Sequence, residues 1–324
     1  MVLFSHFTGW IGYLPLIASY LHWRYWKIGS ECFKQIVSLD IPYHNNTKLD
    51  VYHPDKKPDG SLSRIIVFVY GGGWGSGSKM IYSTLANTLR ELGYVVVVPD
   101  YRKYPEGHSA GAHLVSHVVL SDIINQVKYE NESLTTNSSP TSSPHVSQKH
   151  DPSKKTMGIN SSSNNNNKPH DFLPLVEGLL LFAGVYDIAA HLIHETSRGV
   201  EELSAMARVM GYSQEGYRAN SPIRLIERHA DLFSDSEDLL DLWPRILFLH
   251  GQKDTTVGMD QSANMFNTIG KLFPSERRQE VDVRMRLYRR MGHGEPVLAL
   301  MSNLFSKNTD QKSIIRDIQE FIDI

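Results

Sequence analysis

Gly107-His108-Ser109-Ala110-Gly111-Ala112-His113-Leu114 is the stretch on which the reading of this chain turns. It fits the pattern G-x-S-x-G, in which small residues let the backbone bend sharply from a strand into a helix and lift a serine hydroxyl into the open. On its carboxyl side Leu114 to Val127 reads as a helix, with Val115, Val118, Val119 and Ile123 on one face. On its amino side stands Val95-Val96-Val97-Val98-Pro99-Asp100-Tyr101-Arg102-Lys103-Tyr104-Pro105-Glu106. That run holds one buried strand, Tyr94 to Pro99, and leaves no room for a second strand before the turn.

Working outward, Ile36 to Pro54 reads as two short strands around Asn45-Asn46. Ile65 to Tyr70 is a continuous apolar run of the kind buried on both faces of a parallel sheet, and Tyr82 to Leu92 has helical spacing closed by Gly93. Residues 129–171 are rich in Ser, Asn, Pro and Lys and bury too little apolar surface to offset the entropy of ordering, so a disordered insert is expected there. Strands resume at Leu175 to Phe182, Arg245 to His250 and Val281 to Arg289. Helices are expected over Val200 to Met210, Ile223 to His229, Ser262 to Phe273 and Ile314 to Ile322. Buried strands alternating with helices imply an α/β domain with a mostly parallel central sheet flanked by helices, spanning 28–128 and 172–324. The site of such a sheet lies beyond the carboxyl ends of its strands.

Composition narrows the chemistry. The 33 Lys+Arg and 35 Asp+Glu nearly balance, which gives no footprint for nucleic acid. One cysteine, Cys32, excludes an intrachain disulfide and cysteine-rich zinc sites. Residues 1–27 form an apolar segment ending in His22-Trp23-Arg24-Tyr25-Trp26-Lys27. It suits a membrane anchor, an interfacial helix or an apolar helix packed on the domain. It lacks the basic start and cleavage site of a removable signal peptide.

Three further motifs sit after strands. Tyr70-Gly71-Gly72-Gly73-Trp74-Gly75-Ser76-Gly77 can turn backbone N–H groups toward a developing oxyanion. A tight turn or a phosphate loop is the alternative, although the spacing to Lys79 departs from that of a P-loop. Gly251-Gln252-Lys253-Asp254 places an acid after the next strand but one, and Met291-Gly292-His293-Gly294 places a base after the last. Ser, Asp and His in that order suit a nucleophile, an orienting acid and a general base. His113 and His117 share a helix face without a carboxylate at ligand spacing, and no metal site is expected. Glu195 and Arg198 either line a pocket or cap a helix.

These motifs resemble the alpha/beta-hydrolase superfamily, in particular isoprenylcysteine methylesterases and kynurenine formamidases. The resemblance rests on YGGGWGSGSK, VVVVPDYRKYPEG, GHSAGAHL, HGQKD and the final GH. The block Leu181 to Asp187, then His194 to Gly199 and Ala219 to Pro222, is most similar to the methylesterase branch, whose members are membrane-associated. The resemblance implies Ser109 as nucleophile, Asp254 as acid and His293 as base, with Gly72, Gly73 and the Ala110 amide as oxyanion hole. It implies a small ester or amide substrate, prenylated in the methylesterase case, and no cofactor. The location would be the endoplasmic reticulum or Golgi membrane, or the cytoplasm. In the family a crossover helix and a buried strand stand where this chain has only Lys103-Tyr104-Pro105-Glu106. A parallel crossover needs about a dozen residues, so a sheet lacking one central strand and one crossover helix is expected. The functional expectation is a serine carboxylesterase cleaving prenylcysteine methyl esters. The alternatives are an arylformamidase and a catalytically impaired splice product or pseudoenzyme.

Overall fold

The computed structural model describes residues 17–44, 47–55, 61–72, 77–101, 110–137, 172–202, 204–235, 238–301 and 308–323. In chain order the elements are α1 (His22–Ile28, π-helical), α2 (Ser30–Ile36), β1 (Val37–His44), β2 (Thr47–Tyr52), β3 (Ile65–Val67), α3 (Ser83–Glu91), β4 (Val95–Pro99) and α4 (Ala110–Asn137). Then come β5 (Gly178–Phe182), α5 (Ile188–Ser197), α6 (Met206–Val209), α7 (Gln214–Ala219), α8 (Pro222–Arg228), α9 (Ala230–Asp235) and α10 (Asp238–Leu242). The chain ends with β6 (Arg245–Gly251), α11 (Asp260–Leu272), β7 (Val283–Tyr288), α12 (Glu295–Met301) and α13 (Asn308–Ile322).

The strands form two groups. A four-stranded sheet runs β1-β2-β4-β3, antiparallel at β1, β2 and β4 and parallel at β4 and β3. A three-stranded sheet runs β5-β6-β7 and is wholly parallel. Among the described residues no strand pairs with the outer edge of β3 or of β5. The two edges nevertheless belong to one body. Ile66 and Phe68 pack on the same core cluster as Leu180 and Phe182, together with Leu85 of α3, Leu300 of α12 and Ile318 of α13. A cavity of about 360 Å³, lined by Arg64, Glu177, Trp243 and Arg245 among others, lies where β3, β5 and β6 begin. On the opposite face a second cluster joins α4, α8 and α11 to β5 and β6 through Leu120, Leu181, Ile226, Phe248 and Met265.

Several expectations need correction. β3 is short, and it is not buried on both faces: Ile65 and Val67, which alternate with Ile66 of the core, point to the opposite face and are exposed. The helix that follows the G-x-S-x-G stretch does not stop near Val127 but continues through Asn137, into the stretch expected to be a disordered insert. The rest of that stretch, 138–171, lies outside the described residues. The helix expected over Val200 to Met210 shrinks to α6, while the longer helix there is α5, started by the Asp187 side chain accepting from Ala190 N. Of the apolar N-terminal segment, 1–16 lie outside the described residues. Tyr20 and Trp23 are buried in the main core, Trp23 against Phe33. Among the described residues no helix is long and apolar enough to cross a membrane.

Candidate functional site

The carboxyl ends of the strands carry the loops that the motifs predict. β3 leads to Tyr70-Gly71-Gly72, with Gly72 buried. α4 begins directly against this turn. A Cβ on Gly111 would stand 2.2 Å from the Val69 carbonyl oxygen and 2.8 Å from that of Tyr70, so only glycine lets the helix start so close. Ala110, the first residue of α4, is fully buried. Its position at a helix N-terminus points the early amides outward with the positive end of the helix dipole. Ser109 and Gly73 lie outside the described residues.

The loop after β6 and the loop after β7 are pressed together in the same way. A Cβ on Gly251 would meet the Met291 oxygen at 2.3 Å, and Lys253 N donates to that oxygen at 2.9 Å. This contact brings Asp254 and His293 into register. Nδ1 of His293 donates to Oδ2 of Asp254 at 2.7 Å. The other carboxylate oxygen, Oδ1, accepts from the amides of Thr256 at 2.9 Å and Val257 at 2.8 Å. With Nδ1 protonated toward the acid, Nε2 of His293 carries the lone pair a general base uses.

A further histidine, to which the sequence reading gave no role although it opens the HGQKD motif, completes the surroundings of Asp254. His250, the next-to-last residue of β6, is fully buried, and its Nε2 lies 3.2 Å from Oδ2 of Asp254 and 3.1 Å from the Val257 oxygen. Both neighbours of Nε2 are acceptors, so that nitrogen bears the proton, and Nδ1 accepts from the Ser262 hydroxyl at 2.8 Å. A histidine inside an apolar strand reads in sequence as a core residue, and only the fold shows what it holds. Burial acts to raise the Asp254 carboxyl, but the hydrogen bonds from His250 and His293, then the electrostatic attraction of the His293 ring and the Val257 amide, outweigh it. The group is held well below the usual carboxylate range.

The remaining candidates have structural partners. Nζ of Lys79 lies 2.7 Å from Asp40 Oδ1 and also pairs with Asp50, which binds it into the sheet rather than to a phosphate. His113 and His117 donate from Nε2 to the carbonyls of Asn220 at 2.7 Å and Ala219 at 3.0 Å, tying α4 to the end of α7. Arg198 is the C-cap residue of α5, and Glu195 is buried on that helix.

Sheet order, helix placement and the Asp254–His293 pair beyond the strand ends together identify the architecture. The chain has the alpha/beta-hydrolase fold. Solved structures agree with this: esterase B from Lactobacillus rhamnosis superposes with a TM-score of 0.54 at 14% identity, covering 88% of this chain and 84% of that one. Carboxyl esterase 2 from Tuber melanosporum gives 0.53 at 16% identity, covering 88% and 86%. The family model described as BD-FAE matches residues 49–108, from within β2 to the residue before Ser109. Among curated relatives, a probable isoprenylcysteine alpha-carbonyl methylesterase of Oryza sativa subsp. japonica is 33% identical over 85 residues. That match covers 26% of this chain and 19% of the rice protein. An isoprenylcysteine alpha-carbonyl methylesterase of Arabidopsis thaliana is 34% identical over 96 residues, covering 30% and 20%. The matched stretches thus span about a fifth of the length of these relatives.

Proposed function

We propose that this hydrolase fold works as a serine carboxylic-ester hydrolase, with prenylcysteine methyl esters as its substrate class. The observation that carries the reading is the 2.7 Å bond from His293 to Asp254, set beyond the ends of adjacent parallel strands. In the proposed reaction Nε2 of His293 takes the Ser109 proton as Oγ attacks the ester carbonyl. The tetrahedral oxyanion is held by backbone amides from Gly72, Gly73 and Ala110, each worth about 3–4 kcal/mol by analogy with measured oxyanion holes. Collapse expels methanol, protonated by His293, and leaves an acyl-enzyme that water attacks by the same route in reverse. Asp254, fixed by four donors, keeps the imidazole oriented throughout.

The methylesterase relatives support the prenylcysteine assignment over an arylformamidase. Contact with a membrane surface is part of the same proposal. It is supported by the neighbouring exposed side chains of Tyr25 and Trp26, the latter 77% exposed, between Arg24 and Lys27. That no strand among the described residues pairs with the outer edges of β3 and β5 favours a second reading, in which the chain keeps the fold but has impaired catalysis. One experiment separates them. Wild type and Ser109→Ala are treated with a fluorophosphonate probe and assayed on S-farnesylcysteine methyl ester and on N-formylkynurenine. Labelling confined to wild type, with turnover of the prenyl ester, upholds the proposal. A folded wild-type chain that takes no label defeats it in favour of the impaired form.

A further inference from the structure

Alternation along the strands divides the side chains of the four-stranded sheet between two faces. On one face Ile66 and Phe68 of β3, Val96 and Val98 of β4 and Tyr52 of β2 enter the main core, where α3 covers them through Leu85 and Leu89. On the other face strand register sets Ile65 beside Val95, and Val67 beside Val97 and Val51, with Leu49 next along β2. These six side chains are all aliphatic, yet among the described residues none joins any of the core clusters. Ile65 is 67% exposed and Val67 59%, and the other four are half-buried.

The β5-β6-β7 sheet shows what such a face receives elsewhere in the molecule. Leu179, Leu181 and Phe248 lie under α4, α8 and α11, while Leu247 and Leu249 on the reverse meet Phe321 of α13. Parallel strands are stable when helices cover both faces, and β3 and β4 form a parallel pair with α3 on one face. Contiguous aliphatic surface left in solvent marks a docking site.

The size of the face selects its occupant. Strands about 4.8 Å apart, with same-face residues about 6.6 Å apart, make it about 15 Å each way, or roughly 200–250 Å². Two copies packed face to face through it would bury about 500 Å², well short of the roughly 1,200–2,000 Å² of a stable interface. A helix is about 10 Å across and about 16 Å long over three turns, which matches the face closely. We infer that β2, β4 and β3 dock an amphipathic helix of a partner protein, one with a stripe of leucine or isoleucine and no charge within that stripe. The inference is independent of the ester-hydrolase reading, since no group of the proposed reaction lies on this face.

Fluorescence anisotropy on the full chain tests it. The probe is a labelled, charge-balanced peptide of about 14 residues, built from leucine, lysine and glutamate with the leucines on one helix face. Its twin carries two central prolines, which forbid the helix. Wild type should bind the helical peptide about 10-fold or more tightly than the twin. Val67→Lys should abolish that preference while melting at the wild-type temperature, because the side chain it replaces belongs to no core cluster. Ile65→Lys serves as a second variant if Val67→Lys fails to fold, and the wild-type comparison stands without either. Equal binding of the two peptides, no binding, or a preference that the lysine variants keep would each overturn the inference. A wild-type dimer in sedimentation that Val67→Lys dissociates would also overturn it, and would give the face to a second copy.

Discussion

Oδ2 of Asp254 accepts from Nδ1 of His293 at 2.7 Å, and that bond joins the Lys253–Met291 backbone contact in tying the loop after β6 to the loop after β7. If the pair orients a catalytic imidazole, Asp254→Asn lowers kcat by about 10,000-fold by analogy with other triads, because the amide favours the wrong tautomer. Ester turnover at saturating substrate checks this. A loss below about tenfold would remove Asp254 from the role of acid.

His250 gives the same carboxylate a second histidine donor. His250→Leu removes it along with the contact to Ser262, and we expect turnover to fall by about tenfold while the chain remains folded. The acid side of stability moves too. Asp254 has a depressed carboxyl, so its contribution is present above the ordinary carboxylate pKa and is lost as pH falls toward the lower folded value. Losing a donor brings the folded value up. Between about pH 3 and pH 5, His250→Leu should therefore gain less stability than wild type in thermal melts. An unchanged profile would show that His250 does not act on Asp254.

Two glycines in helices should respond in opposite directions. Gly111→Ala drives a methyl group to 2.2 Å from the backbone oxygen of Val69, and backbone does not yield as a side-chain tip does. A loss of about 2–3 kcal/mol is expected in urea denaturation. Gly270, within α11, has nothing within 4 Å of its built Cβ. Gly270→Ala should stabilise by roughly 0.5–1 kcal/mol through helix propensity alone. Equal effects at the two sites would contradict the close approach of α4 to the turn after β3.

His113 should make the fold sensitive to mild acid. Burial pushes its imidazole down to about 4, against the opposing pull of the Asn220 carbonyl, and His117 lowers it a little further. The folded chain therefore binds this proton later than the unfolded chain does. Stability is full above pH 6.5 and falls as pH drops toward 4, by up to about 3 kcal/mol. His113→Gln, which keeps a donor for Asn220, should flatten that slope in chemical denaturation at about pH 4.5 and pH 7. A slope identical to wild type would rule out His113 as its source.

The strands were legible where apolar runs were continuous. Arg245 to His250 matches β6 to within a residue, and Tyr94 to Pro99 matches β4 as closely. Asp254 and His293 were singled out because glycines flank them where loops must leave a sheet; the structure brings the two side chains together, and the same glycines are where the two loops touch. Exposure of Ile65 and Val67 was not legible, since a run of β-branched residues says nothing about whether both faces of its strand are covered. α5 was missed because its start signal is one side chain, Asp187, in a segment whose apolar pattern is short. His250 was invisible as a functional residue, because a buried histidine acquires meaning only from its neighbours in the fold.

The absence of a described strand between β3 and β5 has a mechanical side. Within each sheet neighbouring strands share backbone hydrogen bonds, whereas across the joint the described residues meet through side chains such as Ile66, Phe68, Leu180 and Phe182. That side-chain packing lacks the directional backbone hydrogen bonds that join neighbouring strands within each sheet. In native-state hydrogen exchange the amides of β2, β4 and β6, paired on both sides, should be the slowest in their sheets. Those on the outer edges of β3 and β5 should exchange together and early. Gly111 seats α4 against the carbonyls that follow β3 while α4 also packs on β5, so this one helix bridges the joint between the two sheets.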